Sequence, residues 1–200
     1  MKDISVIVPY YNDNKLRYCL KKLFLEYNKL GENKKKVIEI ILINDGSKKT
    51  NYINYNQNIK IINKKNEGVG KARNVGLKLA KKSYVLFVDS DILIPDNFFL
   101  KIDHIIKNKN KKIFYFPQKY VPADNDPNLF QKYLSISWFI NQTKDFKSKE
   151  MITSFCLLVE KEYFLRLGGF EEKFKKSGGE EFELISKIKS RYIKICELYC

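Results

Sequence analysis

The sequence predicts an α/β fold in which helices cover both faces of a Rossmann-like, mostly parallel sheet. Two observations predict it. Apolar, β-branched runs recur at 4–12, 37–47 and 84–93, and polar residues follow each run. Segments with helical periodicity lie between and after these runs. Strands that alternate with helices in this order build a parallel, doubly wound sheet.

The first β-α-β unit occupies the N-terminal part of the chain. A strand is expected in "ISVIVPYYN" at 4–12, where Pro9 ends it, and an amphipathic helix over 14–30. "VIEIILINDGS" at 37–47 is a second buried strand that ends in an Asn-Asp-Gly-Ser turn. The apolar face of the helix consists of Leu16, Leu20, Leu23, Tyr27 and Leu30.

A third strand, a glycine-containing loop and a helix are expected within 59–83, and "YVLFVDSDIL" at 84–93 is the fourth strand. Another helix follows Pro95. The helix within 59–83 has a face of small residues, which consists of Val69, Ala72, Gly76 and Leu79. The helix after Pro95 has an apolar face, which consists of Phe98, Phe99, Ile102, Ile105 and Ile106. Small residues allow a helix to pack closely on a sheet.

After these units the alternation becomes less regular. A strand is expected over 112–122, and 128–144 carries the only tryptophan, Trp138. Amphipathic helix packing and stacking on a sugar are equally open interpretations for Trp138. The segment 151–195 contains a strand, a short helix, a glycine turn and a final helix.

Composition limits the function classes. A chain of 200 residues with 44% hydrophobic content is expected to form one domain. The net charge of +15 is spread along the chain and favours nucleotide phosphates, nucleic acid or an anionic membrane face, without choosing among them. Neither a signal peptide nor a membrane span is expected. The cysteines lack CxxC spacing, so reduced thiols in a cytosolic protein are expected and no zinc site is suggested: Cys19, Cys156, Cys196 and Cys200.

The strand ends carry the candidate site residues. Ligands of such sheets bind at the carboxyl ends of the strands. Asp89 and Asp91 follow the fourth strand, and residues two apart on an extended strand share one face at a spacing of about 6.6 Å. That spacing is too wide for both carboxylates to bind one small ion unless the chain bends. We therefore assign Asp91 to a divalent cation and Asp89 to a sugar hydroxyl or a metal-bound water. An isolated D-x-D more often starts a turn or caps a helix, but here other polar strand ends converge on it.

Six segments together resemble a known family, the glycosyltransferases of the GT-A fold and in particular the large inverting family 2. They are "ISVIVPYYN", "ILINDGS", "NEGVGKARNVG", "YVLFVDSD", "LGGF" and "GGEEFEL", which occur in the order of that family between residues 4 and 184. The resemblance implies a GT-A sheet and an inverting transfer of a sugar from a nucleoside-diphosphate sugar, most simply a UDP-sugar. It also implies a Mn²⁺ or Mg²⁺ cofactor.

The resemblance also implies roles for individual residues. Pro9, Tyr11 and Asp45 would hold the nucleobase and ribose, and Arg73 would lie near the base or diphosphate. Asp89, Ser90 and Asp91 would form the nucleotide-sugar and metal motif. The acceptor side would include Trp138, Gly169, Phe170, Gly179 and Glu180. A turn role for Asp45 and a strand-ending role for Pro9 stay open as structural alternatives.

The final helix supplies the candidate catalytic base. If it starts near Gly179, Glu181 shares one helix face with Ile185, Ile188 and Tyr192. This spacing places Glu181 on the inward face and Glu180 on the solvent-exposed face. An inward carboxylate at the head of an apolar stripe favours catalysis over packing. Glu181 is therefore the first candidate and Glu180 the second. The resembled family most often has aspartate at this position.

The predicted protein is thus one glycosyltransferase domain, with a nucleotide-binding half over about 1–95 and an acceptor and base half over about 96–200. A C-terminal truncation relative to longer family members is an open alternative. The expected partners are a nucleoside-diphosphate sugar and a glycan or lipid-linked acceptor, and nucleic acid is not expected. The expected location is the cytoplasm, with the inner face of the membrane as an alternative. A nucleotide-sugar-binding protein without turnover, a nucleic-acid-binding module and a sugar-1-phosphate nucleotidyltransferase are the competing functions.

Overall fold

One mixed sheet organises the part of the chain that the computed structural model describes, which is residues 2–48, 59–107, 110–117, 154–173, 186–196 and 200. Seven strands form this sheet within those residues. They are β1 (Ile4–Tyr10), β2 (Ile38–Asn44), β3 (Ile59–Asn63), β4 (Tyr84–Val88), β5 (Ile113–Tyr115), β6 (Cys156–Glu160) and β7 (Ile193–Ile195).

The strand order is β3-β2-β1-β4-β6-β5-β7. The four strands from the first half of the chain are mutually parallel, since β1 pairs with β2 and β4, and β2 pairs with β3. β6 pairs antiparallel with both β4 and β5, and β7 runs parallel to β5. Among the described strands only β6 opposes the common direction, so the prediction of a mostly parallel α/β sheet is confirmed.

Helices cover both faces of the sheet. They are α1 (Leu16–Asn28), α2 (Glu32–Lys35), α3 (Val69–Leu79), α4 (Phe98–Ile105) and α5 (Lys161–Arg166), with a 3-10 turn at Ser190–Tyr192. One core cluster joins α1 and α4 to the sheet through residues such as Leu20 and Phe98. A second cluster on the other face includes Leu77 of α3 and Phe164 of α5. Within the described residues, none of these helices has the length and apolar character that crossing a bilayer requires.

β1 shows why its sequence forms a central strand. All seven of its residues are buried, as expected for a parallel strand with helices on both sides. Val6 and Val8 contribute to the cluster under α1 and α4, whereas Ile7 points into the cluster under α3. Gly76 allows α3 to approach closely, because a Cβ at this position would lie 2.5 Å from Cγ2 of Ile7.

Two predicted elements need correction. The final helix was expected to continue through Tyr192, but 190–192 is a 3-10 turn and 193–195 forms β7 on β5. The alternation in "IKI" and its β-branched residues suit an edge strand, and this pairing outweighs the helical spacing. The strand expected over 112–122 is shorter, since β5 covers only Ile113–Tyr115, and 118–122 lies outside the described residues.

Candidate functional site

A cleft of about 500 Å³ lies where the carboxyl ends of β1, β2 and β4 meet the N-terminal end of α3. Parallel strands bring these ends to one edge of the sheet. Six of the predicted site residues line it: Pro9, Tyr11, Asp45, Asp89, Ser90 and Asp91. The sheet topology therefore brings together residues that are up to 82 positions apart in the sequence (91 − 9).

Asp45 is the most firmly held carboxylate in the cleft. It is 4% exposed, and its Oδ2 accepts a hydrogen bond of 2.9 Å from the backbone N–H of Gly68. Its Oδ1 accepts from the backbone N–H of Glu67 at 3.1 Å and from the ammonium group of Lys64. Asp45 thus joins the end of β2 to the loop that starts α3.

The loop after β2 depends on a glycine. Gly46 has a φ of +92°, and a Cβ there would lie 2.7 Å from the backbone nitrogen of Asn66. Both the left-handed conformation and this close approach exclude other residues. The tight packing keeps Asp45 at the edge of the cleft, where Asn66 is another lining residue.

The loop after β1 supplies an aromatic wall. Pro9 is buried in β1, whereas Tyr11 is 51% exposed at the cleft. Asn12 adopts a left-handed conformation with φ of 48°, and its N–H donates to the hydroxyl of Ser47 at 2.8 Å. The loops after β1 and β2 are thereby tied together, and the exposed ring of Tyr11 is available for stacking.

The D-S-D sequence forms a turn beyond the end of β4. β4 ends at Val88, and the N–H of Ile92 donates to the carbonyl of Asp89 at 3.0 Å, which closes a four-residue turn. The chain therefore bends at the pair, whereas the spacing argument from the sequence assumed an extended strand. Asp91 is exposed to 50% and lies 3.8 Å from the ammonium group of Lys15.

Asp89 also lines the cleft, but its carboxylate is paired with an arginine. Its Oδ1 accepts a hydrogen bond of 2.7 Å from Nη2 of Arg73, and its side chain is 19% exposed. Arg73 is 1% exposed, and its guanidinium carbon lies 5.2 Å from the centroid of the Phe170 ring. Arg73 was expected near the base or diphosphate, and the structure places it behind Asp89, outside the residues that line the cleft.

Gly169 and Phe170 lie beneath this pair and not on the open surface. Both are buried, and the Phe170 ring contacts the rings of Phe87 and Phe164 at centroid distances of 4.9 and 5.2 Å. The backbone of Phe170 bonds to the side chain of Asn74 on α3. Phe170 thus connects Arg73 and Asn74 of α3 to the turn after α5.

The sequence arguments missed several residues of the site. Asp13 lines the cleft, and its carboxylate accepts a hydrogen bond from the hydroxyl of Ser90. Lys64 pairs with Asp45, and Asn74 holds Phe170. Asp13 follows the "PYYN" segment directly, so its position in that polar run was a usable signal. Lys64 and Asn74 carried no comparable signal, because lysine and asparagine are common throughout the chain.

The walls of the cleft are acidic although the whole chain is basic. Asp13, Asp45, Asp89 and Asp91 line it, in a protein of net charge +15. Burial raises the pKa of the nearby Cys19 thiol, and the negative charges of Asp89, Asp91 and Asp13 raise this pKa further. Because Lys64 pairs with Asp45 and Arg73 with Asp89, the cation-attracting carboxylates of the cleft are Asp13 and Asp91.

The described residues fit a cation site that the protein completes only in part. No group of three or more His, Cys, Asp or Glu side chains within them could hold a metal ion by itself. Asp91 has an exposed carboxylate, which is a ligand type that hard divalent cations prefer. Phosphate oxygens and waters would have to supply the other ligands.

Four of the predicted residues lie outside the described part of the chain, and their roles stay predictions: Trp138, Gly179, Glu180 and Glu181.

Comparison with known families identifies the chain. The model of the family described as "Glycosyl transferase family 2" matches residues 5–168. The chain belongs to this family. The resemblance inferred from the six segments is confirmed, and the match covers all of the described cleft residues.

Curated family members show the same relationship over different lengths. GlyA of Streptococcus pneumoniae, a glycosyltransferase, is 29% identical over 185 residues, which cover 82% of this chain and 25% of GlyA. EpsH of Bacillus subtilis, a putative glycosyltransferase, is 35% identical over 101 residues, or 46% of this chain and 27% of EpsH. An uncharacterized glycosyltransferase of Haemophilus influenzae is 25% identical over 200 residues, which cover 92% of this chain and 61% of that protein. The chain thus spans less than two thirds of the length of each.

Solved structures share the fold. TarS 1–349 of Staphylococcus aureus in complex with UDP has a TM-score of 0.69 and 22% identity, with 99% of this chain and 60% of that chain covered. The same TarS fragment in complex with UDP-GlcNAc has a TM-score of 0.67, with 99% and 58% covered. At this identity the similarity shows the fold alone.

Proposed function

We propose that this chain is the catalytic domain of an inverting glycosyltransferase that transfers a sugar from a UDP-sugar to a hydroxyl group of a glycan or lipid-linked acceptor. The observation that carries the proposal is the cleft itself. Tyr11, Asp45 and Asp91 come from three different strand ends and line one space of about 500 Å³. An aromatic ring, a firmly held carboxylate and an exposed carboxylate are the groups that a nucleoside diphosphate and its cation require.

The nucleobase end of the donor fits Tyr11 and Asp45. A carboxylate offers about four acceptor positions, and three hydrogen bonds to Asp45 come from the protein. A uracil N–H is a donor that matches the remaining position, while the exposed Tyr11 ring can stack on the base. The complexes of TarS with UDP and UDP-GlcNAc support a uridine nucleotide, since that protein shares the fold.

The diphosphate end requires a divalent cation. Four carboxylates line the cleft, and Lys64 and Arg73 pair with two of them. Without a cation, the other two would repel a diphosphate. Asp91 would hold Mn²⁺ or Mg²⁺ and Asp89 would bind a sugar hydroxyl or a metal-bound water. A bound cation would neutralise the negative charge that develops on the leaving diphosphate. Family membership supports this requirement.

The acceptor end requires a general base, and we assign this role to Glu181. Its carboxylate would take the proton of the acceptor hydroxyl while the oxygen attacks the anomeric carbon. The bond from that carbon to the diphosphate breaks, and its electron pair leaves with UDP, so the configuration inverts. In this proposal residues 1–95 bind the donor and 96–200 provide the acceptor side and the base. The positive net charge favours an acceptor at the inner face of an anionic membrane.

Calorimetric titration of UDP in Mn²⁺, and again in EDTA, tests the donor site. We expect binding in Mn²⁺ and at least a tenfold weaker affinity in EDTA. CDP, GDP and ADP are the comparison ligands, and UDP should bind most tightly. Binding that is equal in Mn²⁺ and EDTA would contradict the metal requirement. If another nucleotide binds more tightly than UDP, the donor carries that nucleotide and not uridine.

Release of UDP from a panel of UDP-sugars, beginning with UDP-N-acetylglucosamine and with water as the acceptor, tests the base in the same chain. Glu181→Gln should keep the affinity for Mn²⁺ and UDP and lose at least 100-fold in turnover. Glu180→Gln is the matched control and should retain turnover. If the control loses turnover and Glu181→Gln does not, the base is Glu180.

A further inference from the structure

The side chain of Asn74 holds a backbone segment that lies 96 residues away in sequence. Its Oδ1 accepts a hydrogen bond of 2.9 Å from the N–H of Phe170, and its Nδ2 donates to the carbonyl of Phe170 at 2.8 Å. Nδ2 also donates to Oε1 of Glu172 at 2.9 Å. Asn74 is only 5% exposed, so both ends of its amide are used within the protein.

The packing around this amide is tight. Gly169 has a φ of +72°, and a Cβ at this position would lie 2.5 Å from Oδ1 of Asn74. One turn earlier on α3, a Cβ at Gly70 would lie 2.8 Å from the carbonyl oxygen of Glu171. The backbone of 169–171 therefore lies directly on α3, between Asn74 and Gly70.

This arrangement gives the segment a direction. Phe170 lies against Asn74 and Glu171 lies against Gly70, so the chain advances towards the N-terminal end of α3. That end lines the cleft through Gly68 and Val69. The 169–171 segment, which contains the predicted acceptor-side residues Gly169 and Phe170, is thus fixed relative to the wall of the donor cleft.

We propose that Asn74 is a positioning residue for the transfer reaction: it fixes the 169–171 segment of the acceptor and base half on α3, and so holds this half in place relative to the donor cleft. Asn74 is not among the cleft-lining residues, so its effect is on the alignment of the two halves and not on donor binding. The inference rests on the proposed function, because it concerns the same reaction.

The substitution Asn74→Asp tests this role with almost no change in shape. The carboxylate still accepts from the N–H of Phe170, but it cannot donate to the carbonyl of Phe170 or to Glu172. We expect turnover in the UDP-release assay with UDP-N-acetylglucosamine to fall at least tenfold per folded molecule. The affinity for UDP in Mn²⁺ should stay within threefold of the wild-type value.

Two further variants separate positioning from a loss of folding. Adding Glu172→Gln to Asn74→Asp supplies an amide donor opposite the new carboxylate, and we expect it to restore part of the turnover. Glu172→Gln alone should resemble wild type, because Glu172 is exposed and its replacement still accepts the hydrogen bond. Asn33→Asp on the exposed helix α2 adds the same charge elsewhere, and it should change neither the turnover nor the affinity for UDP.

Hydrogen exchange at the backbone amides of 169–172 gives a readout that needs no catalysis. Exchange should be faster in Asn74→Asp and slower again when Glu172→Gln is added. Unchanged turnover, or an equal loss of donor affinity, overturns the inference. A wild-type chain that binds no UDP and releases none overturns the proposed function and the positioning role with it, and the exchange data then decide only whether Asn74 holds the segment.

Discussion

Asp89 and Asp91 differ in environment although one residue separates them. The Asp89 carboxylate bonds to the buried guanidinium of Arg73, and its backbone N–H donates to the carbonyl of Phe155 at 2.8 Å. Asp91 is half exposed and has only a loose approach of 3.8 Å to Lys15. Both carboxylates therefore line the cleft, but one is paired with a buried guanidinium and the other is exposed.

We predict that the two aspartates divide stability and cation binding between them. Asp89→Asn removes the negative charge that faces buried Arg73 and should lower the free energy of unfolding by about 2–3 kcal/mol. Asp91→Asn should change the free energy of unfolding by less than about 0.5 kcal/mol, because exposed substitutions cost little. Urea unfolding of both variants measures the difference.

In the same pair of variants, Asp91→Asn should abolish the dependence of UDP binding on Mn²⁺. Equal stability losses in the two variants would show that the exposed carboxylate also supports the fold. If UDP binding to Asp91→Asn still depends on Mn²⁺, another residue holds the cation.

At the scale of elements, α3 connects most parts of the site. Its loop bonds to Asp45, its N-terminal end lines the cleft and its side chains hold Asp89 and Phe170. The helix can do this because Gly76 lets it lie directly on Ile7 of β1. A displacement of α3 would therefore change the cleft and the 169–171 segment together.

Gly76→Ala tests this close packing. The added methyl would lie 2.5 Å from Cγ2 of fully buried Ile7, and overpacking of this kind costs about 1–3 kcal/mol. The higher helix propensity of alanine offsets up to about 1 kcal/mol, so we expect a net loss of about 1–2 kcal/mol in chemical denaturation. Gly31→Ala is the control, because no atom lies within 4 Å of a Cβ at this exposed N-cap, and it should change the free energy of unfolding by less than about 0.5 kcal/mol. A Gly76→Ala variant as stable as the control would show that α3 can move away from the sheet.

The sequence predicted the elements that its local pattern determines. The runs that became β1, β2 and β4 are almost wholly buried, and continuous apolar stretches with polar ends are enough to identify such strands. β7 was missed because its three residues gain their structure from pairing with β5, which lies about 80 residues earlier (193 − 113). Local spacing carries no information on such a partner.

The same limit applied to the site. The strand-end residues could be predicted because parallel topology alone brings them together. The pairs Asp13 with Ser90 and Asn74 with Phe170 could not, because 77 and 96 residues separate their members. Tertiary packing, and not any motif, selects which of the many asparagines and aspartates pair.

At the scale of the whole molecule, charge is distributed unevenly. The chain carries a net charge of +15, yet the charged residues that line the cleft are all aspartates. A nucleic acid would bind such a protein through exposed lysines and not through this cleft. The basic surface and the acidic cleft therefore attract different ligands.

Salt separates these two kinds of binding. A single-stranded oligonucleotide that binds the basic surface should lose at least about 100-fold in affinity between 50 and 200 mM NaCl, because its binding releases many counterions. The affinity for UDP in Mn²⁺ should fall less than about tenfold over the same range. Its binding would depend on a few charges at short distance, and salt screens such charges weakly. The two should not compete in fluorescence titrations at 50 mM NaCl. Competition between them would place the oligonucleotide in the cleft and favour a nucleic-acid-binding function for this chain.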